Sequence, residues 1–537
     1  MLTTAEVHGA GFAARALAVG DLLREAATDR PDAIALVEGG PERELRRRWT
    51  YGELLAGAEA CARALLERYG PGDRIAVWAP NMPEYQLAQY GIALAGMTLV
   101  TLNPAFRREE ARYVLEQSGA VACLAARDFR GRPLADTARE LVDAIPSLRA
   151  VHELNRLSEL TAGAVAGTAL PDVDPGMAAQ ILYTSGTTGA PKGAMLPHLG
   201  MTNNIPLAIR RIASGVEDNA VFMASLPMFH LAGCVVAAIG SIALRGSLLT
   251  VNGFDSAFVL RLIEEERITT MNLVPTMMIA ILADPSLRER DLSSLGSIML
   301  GGAIVAPELA RRVESELGVP VIVGYGMTEA ACVTMTSHLD DASDRYDTCG
   351  LPFPGVAVRV VDPATGAVCA PGVAGEAQTS GFHTMSGYNA NPEATAAAFT
   401  DDGWYRTGDL CTIDPRGYLR VVGRSTEMII RGGENIYPRE VEDELLHHAA
   451  VAEAAVIGLP DDYYGEIPAA FVRLRPGLHA GAEELRAFLY ERVTGVKVPA
   501  RWYFVDDFPR TPSGKVRKFV LREQWDQGVY ALTSPGG

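Results

Sequence analysis

Eleven residues from Tyr183 to Gly193, Tyr-Thr-Ser-Gly-Thr-Thr-Gly-Ala-Pro-Lys-Gly, form the densest set of groups able to do chemistry in this chain. Four hydroxyls (Thr184, Ser185, Thr187, Thr188), three glycines (Gly186, Gly189, Gly193) and Lys192 share one short stretch. Hydroxyls donate to anionic oxygens, and glycines let backbone N–H groups approach a ligand closely. A lysine adds a compact, mobile charge. Together they suit an oxygen-rich anion such as a phosphate. The stretch is not a Walker loop, because Lys192 lies between Pro191 and Gly193 and no Gly-Lys-Ser/Thr is present. The chain also lacks a Gly-x-Ser-x-Gly nucleophile elbow. A plain surface loop would share the composition, but lysine usage speaks against it. Only four of the 48 basic residues are lysines (Lys192, Lys497, Lys515, Lys518), so a lysine in a glycine-rich loop does something arginine cannot.

The loop follows the apolar run Ala179-Gln180-Ile181-Leu182, which predicts a strand with the loop leaving its end. Residues 1 to about 50 are rich in alanine and arginine and are predicted to be helical. Thr50-Tyr51-Gly52-Glu53 has capping-box spacing and should open a helix running to Arg68. Strand-like runs at Arg74–Ala79 and Thr98–Leu102 enclose a helical stretch, Pro83–Leu94, an order that implies a parallel, doubly wound unit. The alternation recurs with strands near Val221–Leu226, Ser247–Val251, Thr269–Leu273, Ser297–Leu300 and Val319–Val323. In such sheets ligands sit beyond the carboxyl ends of the strands. From Leu351 to Val422 the texture turns β-rich with frequent Gly and Pro, as in a small barrel-like subdomain. Alternating segments at Arg439–His447, Val451–Gly458, Ala469–Arg473, Ala482–Glu491 and Trp502–Val505 make a compact α/β module.

At 537 residues the chain exceeds one core, so at least two domains are expected. The net charge of −17 argues against nucleic acid or an anionic membrane as partner. The longest nearly uncharged apolar run, Leu231 to Leu244, is fourteen residues, too short to span a bilayer, and reads as a buried helix. The N-terminus lacks a basic region followed by an apolar core, so no secretory signal and a cytoplasmic location are expected. Seven cysteines without paired or metal-like spacing fit a reducing compartment. Cys332, beside a glycine-rich motif, reads as a small buried hydrophobe.

Further motifs follow in order: Leu226-Pro227-Met228-Phe229-His230, Leu300-Gly301-Gly302-Ala303, Gly324-Tyr325-Gly326-Met327-Thr328-Glu329, Tyr405-Arg406-Thr407-Gly408-Asp409, Gly423-Arg424-Ser425-Thr426-Glu427 and Pro509 to Lys518. With Tyr183–Gly193 this set resembles the adenylate-forming (AMP-binding) enzymes, the superfamily of acyl-CoA synthetases, peptide-synthetase adenylation domains and luciferases. Within it, the chain looks like an acyl-CoA synthetase for fatty or aryl acids. The resemblance implies an α/β fold. A large multi-layer N-terminal domain with doubly wound sheets and a small β-rich subdomain (residues 1–424) would be joined by a hinge (425–428) to a small mobile α/β C-terminal domain (429–525), with a tail at 526–537.

It also implies the site. Thr184, Ser185, Gly186, Thr187, Thr188, Gly189 and Lys192 would hold the phosphates of ATP. Gly302 and Ala303 would let adenine lie on bare backbone, with Gly324 and Gly326 beside it and Tyr325 stacked on the base. Thr328 would bond the α-phosphate, and Glu329 would offer a hard oxygen to Mg²⁺. Asp409 would accept the ribose hydroxyls, and Arg424 would help hold ribose and phosphate. Phe229, His230, Thr276, Met277, Ala303, Gly324, Met327 and Val333 would border the acyl pocket. Gly433 would let pantetheine pass. Glu427 would be the hinge acid; the family's usual Lys-Asp pair is Thr426-Glu427 in this chain.

The chemistry implied is activation of a carboxylate. Its attack on the α-phosphorus of ATP expels pyrophosphate and leaves an acyl-AMP with a good leaving group. Two anions must meet, so Mg²⁺ and lysine charges offset their repulsion. Lys515 would bridge the attacking carboxylate and the α-phosphate, Lys192 would hold the departing phosphates, and CoA would then attack the acyl-AMP after the C-terminal domain turns. Other acceptors stay open, namely a carrier-protein thiol, an amine or another nucleophile, as does a luciferase-like oxidation. So does a silent acyl-adenylate-binding regulator, although the presence of Glu329, Asp409, Arg424 and Lys515 argues for an active enzyme. The chain ends about twenty residues after Lys515, so no fused carrier domain is expected. The pocket residues, mostly apolar and free of lysine and arginine, favour a medium- or long-chain or aromatic acid over a dicarboxylate. The expected partners are the acid, ATP and CoA, and the resemblance is compatible with a homodimer.

Overall fold

The structure is a computed structural model that describes residues 1–164, 168–184, 191–213, 215–216, 220–303, 305–424, 427–431, 434–461, 463–511 and 515–530, with only the backbone at 434–435. The chain clusters into two compact units: a larger one (residues 7–358 and 379–405) and a smaller one (1–6, 359–378 and 406–537). Glu427 and Met428, the described part of the stretch 425–428 read as a hinge, lie inside the smaller unit.

The larger unit holds two sheets. The first has nine strands in the order Leu351–Pro352, Ala331–Met335, Val321–Met327, Ser297–Leu300, Thr270–Leu273, Val221–Ala224, Ser247–Thr250, Ile34–Glu38 and Arg48–Thr50. The six strands from Val321–Met327 to Ile34–Glu38 run parallel, and the remaining pairings at the two edges are antiparallel. The second sheet has seven strands in the order Gly387–Tyr388, Lys192–Pro197, Ala178–Thr184, Thr98–Leu102, Arg74–Trp78, Ala122–Ala125 and Ala150–Glu153. Its last five strands run parallel, whereas the first two are an antiparallel edge. Parallel strands buried on both faces read as continuous apolar runs, and Ile75-Ala76-Val77-Trp78, each at most 1% exposed, is such a run.

Thr50 caps the helix Tyr51–Leu66 as its spacing predicts: Glu53 N–H donates to Thr50 Oγ1 at 3.2 Å, and Thr50 N–H donates to Glu53 Oε2 at 2.8 Å. Pro83–Leu94 is a helix packed against it so closely that a Cβ at Gly91 would stand 2.7 Å from the Cβ of Cys61. The first fifty residues differ from expectation, since only Val19–Asp29 forms an α-helix. Ile34–Glu38 is instead a strand paired in parallel with Ser247–Thr250, because an apolar run gains more by completing a buried sheet than alanine-rich neighbours gain by helix propensity. Leu231–Leu244 is helical as read, but its first part, Leu231–Ala237, is a π-helix that continues as an α-helix over Ala238–Ala243.

The smaller unit contains the antiparallel pairing of residues 409–413 with Leu419–Arg424 and a separate five-stranded sheet. In that sheet Gly465–Leu474 pairs with Ile429–Arg431, Val451–Asp461 and Arg501–Phe504. Successive side chains of a strand point to opposite faces, and two cores follow from this. Ala470 and Val472 pack with Val441 and Leu445 of helix Pro438–Leu446 and with Leu485 and Leu489 of helix Ala482–Tyr490. Ala469 and Phe471 pack with Leu521 of helix Lys518–Asp526. No helix among the described residues is long and apolar enough to cross a membrane.

Candidate active site

Thr184 ends one strand and Lys192 begins the next, and the two residues are direct partners in an antiparallel pairing at the edge of the seven-stranded sheet. The phosphate-loop reading therefore sits on a strand–loop–strand hairpin. Ser185, Gly186, Thr187, Thr188 and Gly189, the middle of that loop, lie outside the described residues. Lys192 is exposed and makes no ion pair among the described residues; its Nζ stands 5.2 Å from the ring centroid of Tyr388. Tyr388 reaches this place because Gly387–Tyr388 pairs antiparallel with Lys192–Pro197, with Tyr388 opposite Ala194. Lys192, two residues from Ala194, shares its face and meets the ring diagonally, and the small alanine leaves room for that contact.

The hydroxyl of Tyr388 donates to Glu329 Oε1 at 3.0 Å. Burial, and then the Glu329 carboxylate, push the Tyr388 phenol well above its ordinary range, so it stays a protonated donor near neutrality. Glu329 lies on the short turn Thr328–Ala330 after the strand Val321–Met327, and its backbone carbonyl accepts from Met385 N–H at 2.7 Å. The strand carrying Tyr325 and Gly326 bulges between those two residues against Ala331–Met335. A Cβ at Gly326 would lie 2.0 Å from the carbonyl oxygen of Ala331, so this turn requires glycine. Ala331 itself holds a left-handed φ of 40°, strain of the kind found where a backbone is committed to a site. Gly324, Tyr325, Met327, Thr328 and Glu329 are half-buried, whereas Gly302, Ala303 and Gly326 are exposed.

Among the residues expected at the acyl pocket, Phe229 and His230 have ring centroids 4.4 Å apart with their planes tilted by 40° at the start of the π-helix, a helix form that recurs at functional sites. Gly233 in that segment has no room for a side chain, since its Cβ would stand 2.3 Å from the Pro227 carbonyl oxygen. Thr276 is exposed and Met277 half-buried on helix Pro275–Ala283. Val333 is fully buried in its strand. Burial pushes the Cys332 thiol up to about 12, which fits a packing role.

In the smaller unit, Asp409 and Arg424 stand opposite each other across the antiparallel pair, and Arg424 Nε donates to Asp409 Oδ1 at 2.9 Å. Gly408, with a φ of 69°, allows the turn of backbone before the acid, and Asp409 N–H donates to Thr407 Oγ1 at 3.0 Å. Lys515 is exposed and bonded to Thr511, whose N–H donates to Lys515 O at 2.8 Å and whose Oγ1 accepts from Lys515 N–H at 3.1 Å. Gly433 and Thr426 lie outside the described residues. Glu427 is tied into the smaller unit: Lys518 Nζ lies 2.8 Å from Glu427 Oε2 and 2.8 Å from Glu442 Oε1. Burial pulls the Lys518 ammonium down, but the two carboxylates outweigh it and hold it above its ordinary value.

Three functional features escaped the sequence reading. Tyr388 lies far from Lys192 and Glu329 in the chain, and Ser-Gly-Tyr-Asn in a β-rich stretch carries no chemical signal of its own. Lys518 was visible only as part of a basic loop, and Glu442 only as a helix residue. The π-helical winding after His230 has no composition that distinguishes it from an α-helix.

Comparison with known proteins fits this arrangement. Residues 23–389 match the family model of the AMP-binding enzymes, and residues 440–515 match that of the AMP-binding enzyme C-terminal domain. A feruloyl-CoA synthase from Amycolatopsis sp is 36% identical, over 92% of this chain and 96% of its own. A mitochondrial medium-chain acyl-CoA ligase from Danio rerio is 32% identical, over 98% of this chain and 91% of its own. The ATP-bound crystal structure of MatB from Rhodopseudomonas palustris superposes with a TM-score of 0.87 at 29% identity, covering 95% of this chain and 99% of that one. An α/β fold with paired family domains and full-length likeness to acyl-CoA synthetases lead to one conclusion: the chain belongs to the AMP-binding, adenylate-forming enzyme family.

Proposed function

We propose that this enzyme converts an apolar carboxylic acid, a medium- or long-chain fatty acid or an aryl acid, to its CoA thioester by way of an acyl-adenylate. The observation that carries the reading is two opposite charges held by one tyrosine, an ammonium at Lys192 without an ion pair among the described residues and a carboxylate at Glu329 that accepts from the phenol. An ammonium suits the departing pyrophosphate, and a hard carboxylate oxygen suits Mg²⁺, which keeps most of its water and takes the rest of its ligands from phosphate. Glu329 would hold that ion, whose charge lowers the repulsion between carboxylate and phosphates.

The remaining roles follow the chemistry of each group. Thr328 bonds the α-phosphate, and Thr184, Ser185, Gly186, Thr187, Thr188 and Gly189 take the outer phosphates. The bare backbone at Gly302–Ala303 receives adenine, and Asp409 accepts from the ribose hydroxyls with Arg424 beside it. Lys515 neutralises the attacking carboxylate and the α-phosphate while they join, and Gly433 gives pantetheine passage. Phe229, His230, Thr276, Met277, Met327 and Val333 shape the acyl pocket. The acid's class is supported by the names of two relatives, one a feruloyl-CoA synthase and one a medium-chain acyl-CoA ligase, and by the lack of lysine and arginine among these pocket residues.

The test is mass spectrometry of the products from a panel of aliphatic, aryl and dicarboxylic acids with ATP, Mg²⁺ and CoA. Thioesters of apolar acids are expected. Accumulation of acyl-AMP with CoA unmodified for every acid would assign a different acceptor, and preference for a dicarboxylate would overturn the substrate class.

A further inference from the structure

We propose that Tyr388 is a positioning residue for the phosphate end of the site, its ring carrying the Lys192 ammonium and its hydroxyl carrying the Glu329 carboxylate. The proposal rests on the reading of Lys192 and Glu329 given above.

Lys192 and Glu329 carry opposite charges that serve opposite partners, an anion for the lysine and a cation for the glutamate. Left to pair directly, each would quench the other, and a nucleotide would have to break that pair before binding. Tyr388 stands between them and offers each a neutral partner. Nζ of Lys192 lies 5.2 Å from the ring centroid, within cation–π range, and the phenol donates to Glu329 Oε1 at 3.0 Å. Lys192 forms no ion pair among the described residues, which is what such a spacer would produce.

The tyrosine is itself firmly held. It is 9% exposed, and its backbone N–H donates to Thr395 Oγ1 at 2.9 Å. The next residue is fixed on both sides: Asn389 N–H donates to Gly193 O at 2.7 Å, and Asn389 Nδ2 donates to Gln117 O at 2.9 Å. Gly387 before it has a φ of 143°, and a Cβ there would stand 2.8 Å from Cγ2 of Thr395. A rigid aromatic on a sheet edge can fix two long side chains that would otherwise spend rotamer entropy on binding.

The experiment measures ATP affinity at equilibrium, without acid or CoA, in Mg²⁺ and in EDTA. Tyr388→Phe keeps the ring and deletes the bond to Glu329, so ATP affinity in EDTA should stay within about twofold while the gain from Mg²⁺ falls about three- to tenfold, the scale of the net contribution of one hydrogen bond. Tyr388→Leu deletes the ring as well and should weaken ATP about two- to tenfold further even in EDTA. The Phe effect should vanish in a Glu329→Gln background, and the additional Leu effect in a Lys192→Ala background, which a general loss of packing would not do. Tyr388→Phe with a Mg²⁺ response equal to the parent's, while Glu329→Gln abolishes that response, would overturn the proposal alone. An unchanged Mg²⁺ response in Glu329→Gln would overturn the reading of Glu329 and the proposal with it.

Discussion

Arg424 Nε donates to Asp409 Oδ1 at 2.9 Å from the position directly opposite in the antiparallel pair. The acid is buried and the arginine half exposed, so the arginine orients a carboxylate that is itself held out of bulk water. On the proposed ribose role, Asp409→Ala should raise the KM for ATP, because two charge-assisted hydrogen bonds would be lost at roughly 1.5–3 kcal/mol each. Arg424→Lys keeps the charge but loses the planar fork that holds the acid, and should raise the same KM by a smaller factor. Initial rates of pyrophosphate release across ATP concentrations check both; an unchanged KM in a folded Asp409→Ala enzyme would remove the acid from the ribose site.

The two half-reactions should separate at Lys515. In the role proposed for it, its charge acts while carboxylate and α-phosphate join and not while a thiol displaces AMP. Lys515→Ala should slow adenylation by about 10²–10³, the scale of one lost transition-state contact. Conversion of chemically supplied acyl-AMP to thioester should stay close to the parent rate. Single-turnover kinetics of each half-reaction measure this, and equal slowing of both would refute the division.

Lys518 should be a stability determinant of the smaller unit. Its side chain is 17% exposed and pairs with both Glu427 and Glu442. Lys518→Met leaves two carboxylates facing each other in a largely buried place, at a cost of about 3–5 kcal/mol. Glu427→Gln leaves the lysine paired with Glu442 and should cost less. Calorimetric melting of the three proteins gives the order, and a Lys518→Met enzyme that melts with the parent would contradict it.

Acid should weaken the fold through two buried histidines. Burial pushes His198 down to about 4 and His383 down to about 3, so between those values and the ordinary 6.5 the unfolded chain binds more protons than the folded one. Stability therefore falls as pH drops below about 6.5, by up to ~1.4 kcal/mol per pH unit for each histidine. Asp443 has the opposite sign. Burial raises it to about 6, so it gives stability below its unfolded value of 3.8 that is lost as pH rises through 6. Two histidines outweigh one aspartate, and the net slope is loss on acidification. His383→Gln should flatten the slope of urea-unfolding free energy between pH 4 and 6, and an identical slope would show that His383 titrates normally.

The larger elements were legible because their causes are local. The capping box at Thr50, the apolar runs at Arg74–Trp78 and Thr98–Leu102 and the alternation from Val451 to Phe504 follow from period and cap chemistry within a few residues. The motif set from Tyr183 to Lys518 was likewise readable as ordered residue types, and it carried the family. Ile34–Glu38 was not legible as a strand, because what makes it one is Ser247–Thr250 lying alongside, two hundred residues away in the chain.

Sequence alone thus determined which chemical groups the enzyme owns, lysines, glutamate, aspartate and glycine turns in a set order, since side-chain chemistry and backbone permissiveness belong to each residue. Tertiary structure decided which of them meet. Tyr388 became the partner of Lys192 and Glu329 only because a two-residue edge strand pairs beside the phosphate hairpin. Lys518 found Glu427 and Glu442 only because the helices of the smaller unit pack on one sheet. Contacts of that kind are set by sheet order and packing, which no short window of residues encodes.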